Sequence, residues 1–303
     1  MTRSLRLGSR QSELALVQAN HTVSLIHQLF PDVLVEVVPI VTTGDRNVSI
    51  PLDEMGGKGV FIKELEQALL DERIDLAIHC LKDVTVASEY GLDYAGFLAV
   101  DFIPGVLVAN QPISLEQECI IGTSSKRRQA LLKHYCPSFQ CKPIRGNIPT
   151  RLQKLREGDY DALVLSEASL RRLNIEDYWE YVFPLSHFIP APGQGVLACQ
   201  IRFDDDRIRQ IVDAISDPHQ TLISRFEYSL MKKPIIMTDF NIDLKNLNEN
   251  FIIASSHFEF SKLIIDQIKN PQKLEELNLF AKNYEWSKIS SEFRNFILKD
   301  NNS

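Results

Sequence analysis

Asp75-Leu76-Ala77-Ile78-His79-Cys80-Leu81-Lys82-Asp83-Val84 is the stretch from which the rest of the chain is read. Leu76 to Ile78 is a short apolar run bounded by charge, the mark of a buried strand. The strand delivers His79, Cys80, Lys82 and Asp83 within five positions. Open α/β sheets bind their ligands just beyond the carboxyl ends of their strands. Lys82 and Asp83 at such an edge are therefore candidates for a site. A surface ion pair in a loop would look the same in sequence, so the neighbouring segments must decide.

Upstream, Leu5 to Ser9 reads as a first strand and Glu13 to Phe30 as a helix. Leu14, Val17, Val23, Ile26 and Leu29 follow helical spacing, and Ser12 is the expected N-cap. Arg10 beside backbone N–H groups at a helix start is a natural anion site. A solvated Arg before a capped helix is the plainer alternative. Leu34 to Val41 reads as a second strand. Thr42 to Gly59 is a long polar segment, of the kind that is usually a functional loop or disordered. Gly56, Gly57 and Gly59 there would let the backbone pass close to a ligand. Phe61 to Asp71 is an amphipathic helix, and Ile74 to His79 is the strand of the opening stretch. The resulting βαβαβ order argues for a parallel sheet with helices on both faces.

Downstream, Leu92 to Asn110 carries apolar runs around Pro104-Gly105, read as a crossing into a second lobe. That lobe has strands at Cys119 to Gly122, near Gln140 to Ile144 and at Ala162 to Leu165. Its helices run over Lys126 to Lys133, Ile148 to Glu157 and through Arg171. Gly122-Thr123-Ser124-Ser125-Lys126-Arg127-Arg128 stands between strand and helix, with three hydroxyls at the helix start and two Arg within its first turn. Arg145-Gly146-Asn147 with Arg151 makes a second such turn, and Arg172 adds another Arg. One Arg is most simply a solvated side chain. Five at the same kind of turn suit carboxylate or phosphate, which guanidinium binds by paired hydrogen bonds. Pro190 to Gly195 is a Pro/Gly-rich return segment, read as the second hinge, with a simple linker as the alternative. Helices are expected over Asp204 to Ile215 and Gln220 to Met231. Beyond Lys233 the composition shifts to Asn, Lys, Phe and Ile, which suggests a small separate α+β domain.

The 303 residues suffice for two or three domains, and 44% hydrophobic with 24% charged content is that of a soluble globular chain. The net charge of −7 argues against a general polyanion binder, so any basic site is local. No apolar h-region opens the sequence and no run approaches a membrane span. Five Cys without regular spacing suit a reducing cytosol. Cys136 and Cys141 lack a second pair, so no metal is expected.

Taken together, these pieces resemble the porphobilinogen deaminase, or hydroxymethylbilane synthase, family. The matching residues are Ser9-Arg10-Gln11-Ser12, Val38-Pro39 with Thr42, Gly44-Asp45, Gly56-Gly57-Lys58-Gly59, and His79 with Lys82-Asp83-Val84. They continue with Gly122-Thr123-Ser124-Ser125 and Arg127-Arg128-Gln129, Arg145-Gly146-Asn147 with Thr150-Arg151-Leu152, and Gly193-Gln194-Gly195. The resemblance covers roughly residues 5 to 230. It implies two doubly wound α/β lobes like a type II periplasmic binding protein, 1–98 with 194–217 and 103–190, and a third domain at 218–303. It implies head-to-tail condensation of four porphobilinogen units with loss of ammonia, on a dipyrromethane primer held by a thioether to a cysteine of the third domain. It implies a cytoplasmic monomer with a small-molecule substrate and neither nucleic acid nor membrane as partner.

Each pyrrole carries an acetate and a propionate, so the chain needs many carboxylate partners. Arg10, Ser12, Lys58, Thr123, Ser124, Ser125, Arg127, Arg128, Arg145, Gly146, Arg151, Arg172 and Gln194 are the expected binding set. Asp83 is the expected catalytic carboxylate, with Lys82 beside it: it would stabilise the cation left by deamination and assist proton transfer. The sequence departs from the family in three places. An ungapped count puts Met237-Thr238-Asp239 where the primer cysteine should lie, and no Cys follows Cys199. Val100-Asp101-Phe102-Ile103 replaces an acidic, Arg-rich segment, and Glu54 replaces a basic residue. The primer is then either bound without a covalent link or tethered at Cys80. The alternatives to a deaminase are a non-catalytic pyrrole or polycarboxylate binder and an enzyme with a different pyrrole product.

Overall fold

The computed structural model describes residues 4–46, 57–84, 88–100, 102–175, 179–230, 235–238 and 251–254. The chain divides into two units, Met1–Ser224 and Arg225–Ser303. The first holds two five-stranded sheets.

Sheet one is built from β1 (Leu5–Arg10), β2 (Val35–Ile40), β3 (Leu76–Cys80), β4 (Leu92–Phe97) and β10 (Leu197–Arg202), in the order β2-β1-β3-β10-β4. α1 (Glu13–Leu29) and α3 (Lys63–Leu70) connect its first three strands, and α7 (Asp206–Ile215) follows β10. Alternation along the strands sends residues to both faces. Leu5, Leu7, Leu76 and Ile78 pack with Ile208, Ile211 and Val212 of α7. Ala77 and Ile40 pack with Leu65, Ala68 and Leu69 of α3 on the other face. Each such Leu or Ile contributes about 1.5–3 kcal/mol when fully buried.

Sheet two repeats the pattern with β5 (Gly105–Ala109), β6 (Cys119–Gly122), β7 (Phe139–Lys142), β8 (Ala162–Ser166) and β9 (Trp179–Val182), ordered β7-β6-β8-β5-β9. α4 (Lys126–Tyr135), α5 (Ile148–Arg156) and α6 (Glu167–Arg172) cover its faces. The helix starts follow their sequence signals. The Ser12 side chain accepts from Ala15 N, Ser125 from Arg128 N and Asn147 from Thr150 N.

The all-parallel expectation is corrected. β10 lies antiparallel to both β3 and β4, and β5 lies antiparallel to β8 and β9. In each sheet the fourth position is taken by a strand that crosses from the other lobe. Two crossings, 98–104 and 183–196, therefore join the lobes. They run against each other: a Cβ on Gly195 would lie 2.7 Å from the Phe102 carbonyl oxygen, and its φ of +87° is one that favours glycine. The Gln194 side-chain amide donates to the Ile103 carbonyl.

The buried stripe of α1 also differs from expectation. Ala15, Gln18, Ala19, Thr22 and Ile26 face inward, whereas Leu29 is 55% exposed. Small and polar side chains let this helix lie close to the sheet and to the site described below. Part of the segment expected as loop is helical: α2 (Thr43–Arg46) and a 3-10 turn at Gly57–Phe61. Residues 47–56, with Glu54, lie outside the described residues, as do Asp101 and the side chain of Lys58.

An ion network locks the far edge of sheet one. Arg6 donates to both Asp75 oxygens, at 3.0 and 2.7 Å, and Arg202 reaches Asp75 at 3.4 Å and Asp205 at 2.7 Å. α8 (Pro218–Leu230) crosses into the second unit, where β11 (Ile235–Thr238) pairs in parallel with β12 (Phe251–Ala254). The remainder of the expected C-terminal domain lies outside the described residues.

Candidate active site

β3 ends in a 3-10 turn, Leu81–Asp83. Leu81 is fully buried, and its N–H donates to the Val196 carbonyl at 3.0 Å. Gly193, at φ +70°, sits directly on it: a Cβ there would lie 2.6 Å from Leu81 Cγ. The hydrophobic residue of the turn is pinned by the returning crossing, and Lys82 and Asp83, both half-buried, line the adjoining pocket. The pocket is open to solvent and encloses about 90 Å³, less than a typical small-molecule site. Arg10, Ser12, Gln18, Phe61 and Cys80 also line it, with Ser169 from α6.

The charges in and around this pocket come from both sheets. Asp83 interacts electrostatically with Arg10 on its own lobe and with Arg151 on the other. Its neighbour Lys82 feels the Asp83 charge as well. Lys82 is held below the usual lysine range by burial, and the Arg128 and Arg151 charges push the same way against Asp83 and Cys80. Arg10 is already paired: its Nε donates to Asp45 Oδ2 at 3.2 Å, and its guanidinium lies 4.2 Å from the Phe61 ring centroid. It remains a firm cation, since the Asp45 hydrogen bond and charge outweigh the burial that opposes them.

The basic turns of the second lobe hold their Arg side chains by the backbone. Arg127 donates to the Ile189 carbonyl, Arg128 to Val164 at 2.6 Å and Arg151 to Gly146 at 2.7 Å. Among the described residues no carboxylate pairs with these three. Burial pushes Arg127 down to about 10 and, with the Arg127 and Arg151 charges added, Arg128 down to about 9. Their charge is costly where they stand, and an acidic ligand would relieve it. Arg145 adds its charge beside Arg151. Arg172 donates to the Gly195 carbonyl at 2.6 Å, and its charge reaches Cys80. The hydroxyls are more structural than expected. Ser125 caps α4, Thr123 accepts from Ser125 N at 3.3 Å, and Ser124 bridges both backbone groups of Ile144 at 2.7 and 3.0 Å.

From His79 in the pocket wall runs a buried polar relay whose other members, Gln200, Glu66 and Ser88, the sequence did not single out. His79 Nε2 lies 2.9 Å from Gln200 Oε1, and the Gln200 amide donates to Glu66 and Ser88, each at 2.9 Å. Burial holds His79 down to about 4, outweighing the Gln200 bond, and Arg10 pushes the same way. The imidazole is therefore neutral at pH 7. Cys80 exchanges hydrogen bonds with Gln18, at 3.3 and 3.5 Å, and burial with the Asp83 charge raises its thiol. The signal for Gln18 and Gln200 was present: a polar side chain inside an otherwise buried stripe or strand. Among the described residues no group of three or more His, Cys, Asp or Glu is placed to hold a metal ion. No helix among them is long and apolar enough to cross a membrane.

The chain is similar to proteins of known families. The profile described as porphobilinogen deaminase, dipyromethane cofactor binding domain, matches residues 5–210. Porphobilinogen deaminase of Rickettsia prowazekii (strain Madrid E) is 42% identical over 220 residues, covering 71% of this chain and 74% of its own. That of Legionella pneumophila (strain Lens) is 40% identical over 221 residues, 72% of each chain. Among solved structures, a periplasmic substrate-binding protein of an ABC transporter from Coxiella burnetii covers 74% of this chain and 97% of its own, at 13% identity and TM-score 0.43.

Proposed function

The chain belongs to the porphobilinogen deaminase family, and on that premise we propose how its pocket performs the family's chemistry. It is a transferase of the hydroxymethylbilane synthase type, acting in tetrapyrrole, and so porphyrin and haem, biosynthesis. It carries the family's dipyrromethane cofactor binding domain.

Asp83 is the catalytic carboxylate. The observation that supports this is that Asp83 lines the pocket with Arg10, and that its charge is felt by Arg10 of one sheet and by Arg151 of the other. An anion held there meets the pyrrole N–H and stabilises the cation that forms when a substrate unit loses ammonia. It can then take up the ring proton. Lys82, whose hold on its own proton is weakened by burial, stands where it can protonate the departing amine or bind a carboxylate. Arg127, Arg128, Arg145, Arg151 and Arg172, with Arg10, Ser12, Thr123, Ser124, Ser125, Gly146 and Gln194, would meet the acetate and propionate arms, and Lys58 is assigned with them from the sequence.

These residues fit a dipyrromethane by its acid arms and its N–H groups: Arg128 and Arg151 would take the arms, and Asp83 the N–H groups. When bound, that group supplies the pyrrole carbon to which new units are joined. The lobes are assigned as 1–98 with 194–217 and 103–190, with a third domain at 218–303. Five free thiols and the net charge of −7 support a cytoplasmic protein whose partner is a small acidic molecule, not nucleic acid or membrane, and we take it to act as a monomer.

The test is porphobilinogen consumption with ammonia release. Asp83→Ala is expected to lower it by about a hundredfold or more while the protein stays folded. Equal, near-zero consumption by wild type and variant, with pyrrole binding retained, would make the protein a binder instead.

A further inference from the structure

Resting on the activity proposed above, we propose that the dipyrromethane primer is an exchangeable ligand, held in the cleft by ion pairs and hydrogen bonds without any carbon–sulfur bond. A thioether forms when a sulfur nucleophile, as thiolate, attacks the carbon that loses ammonia. The chain has five cysteines and none after Cys199. The structure places each one.

Cys119, Cys136 and Cys199 are 3, 2 and 0% exposed, in the two sheet cores. Cys141 packs from β7 against the same core as Cys119. None of these four lines the pocket. Cys80 does, but it is a poor anchor for two reasons. Its thiol is held by the Gln18 amide, and burial beside Asp83 favours the protonated form. It also lies one 3-10 turn from Asp83. That is on the order of 6 Å along the turn axis, too short for two linked pyrrole rings to stand between anchor and catalytic carboxylate. Thr238, which an ungapped count puts at the family's anchor position, has no sulfur.

The cleft supplies what the missing bond would have supplied. Arg127, Arg128 and Arg151 are cations made costly by burial, and among the described residues no carboxylate pairs with them. Lys82 stands in the same field. The acid arms of two pyrroles match this set charge for charge. Such retention weakens with salt, unlike a covalent link.

The test uses the full-length protein isolated from cells supplied with porphobilinogen. Denatured, it is expected to show the mass of the polypeptide alone, and a thiol reagent is expected to find all five cysteines. Native, the same preparation is expected to carry a pyrrole whose retention falls roughly tenfold or more from low to high salt. An added mass that survives denaturation, with one thiol fewer, overturns the inference and leaves the proposed activity standing. Retention indifferent to salt overturns it also. No pyrrole on the native protein together with no porphobilinogen consumption overturns the proposed activity, and this inference with it.

Discussion

Arg10, which lines the pocket, and Asp45 meet across 35 residues of sequence, Nε to Oδ2 at 3.2 Å. Asp45 also accepts from the Thr42 hydroxyl at 2.7 Å, so one carboxylate ties the end of β1 to α2. Burial alone would raise the Asp45 carboxyl, yet the Arg10 hydrogen bond and charge, with Thr42, hold it below the usual range. A depressed carboxylate stabilises the fold above its unfolded value near 3.8, and that stability is lost as pH falls through the folded value. Asp45→Asn is therefore expected to cost about 2 kcal/mol at pH 7. In urea unfolding the gap between variant and wild type should begin to narrow as pH falls below about 3.8.

His79 gives the opposite residue type with the same sign. Its folded value is about 4 against an ordinary 6.5. Between these values the unfolded chain binds the proton and the folded chain does not. Stability is complete above 6.5 and lost as pH falls toward 4. From pH 7 to pH 5 the wild type should lose about 2 kcal/mol through this group. His79→Gln, measured by urea unfolding at both pH values, should show a correspondingly flatter slope.

Much of the frame was legible because it rests on local signals. The charge-bounded run Leu76–Ile78 and the short run Cys119–Gly122 are strands, and Ser12, Ser125 and Asn147 cap helices. The antiparallel β10 was not legible: its place between β3 and β4 depends on a return from the second lobe, and its apolar run suits either direction. The α1 stripe misled because packing close to a sheet favours Ala15 and Ala19 over larger apolar side chains, leaving Leu29 outside. At the site, Lys82 and Asp83 stood out as adjacent charges after a strand. Gln18 against Cys80 and His79 against Gln200 join residues 62 and 121 positions apart, so only the fold pairs them.

The second-lobe cations predict a ligand effect independent of turnover. The Arg128 guanidinium donates to the Val164 carbonyl, with no carboxylate paired to it among the described residues, and its charge is opposed by burial and by Arg127 and Arg151. A small polycarboxylate such as citrate should offset that cost. Thermal unfolding with citrate near ten times its Kd is expected to shift upward by about 3 °C over sodium chloride of equal ionic strength. Arg128→Gln should shrink the shift markedly. Lys133→Gln, exposed at the far end of the same helix, should leave it intact. Equal shifts in all three proteins would place the anion elsewhere.

Gly193 links the crossing to the catalytic turn, and it can be separated from glycine strain in general. Both Gly193 and Gly158 have positive φ, +70° and +84°. A methyl on Gly158 meets nothing within 4 Å, whereas on Gly193 it meets Leu81 Cγ at 2.6 Å and Cβ at 2.9 Å. Each Ala variant therefore pays backbone strain of about 1–2 kcal/mol, but only Gly193→Ala must also push Leu81. Leu81 is fully buried and cannot yield without moving Lys82 and Asp83, its immediate neighbours in the turn. Displacement of about 1 Å at a reacting group costs up to roughly a hundredfold in rate. Gly193→Ala is expected to lower porphobilinogen consumption at least tenfold, while Gly158→Ala, which carries the strain without the clash, keeps its rate. Should the two variants show the same small change in rate, the turn is not positioned by Gly193, and the support for Asp83 must come from β3 alone.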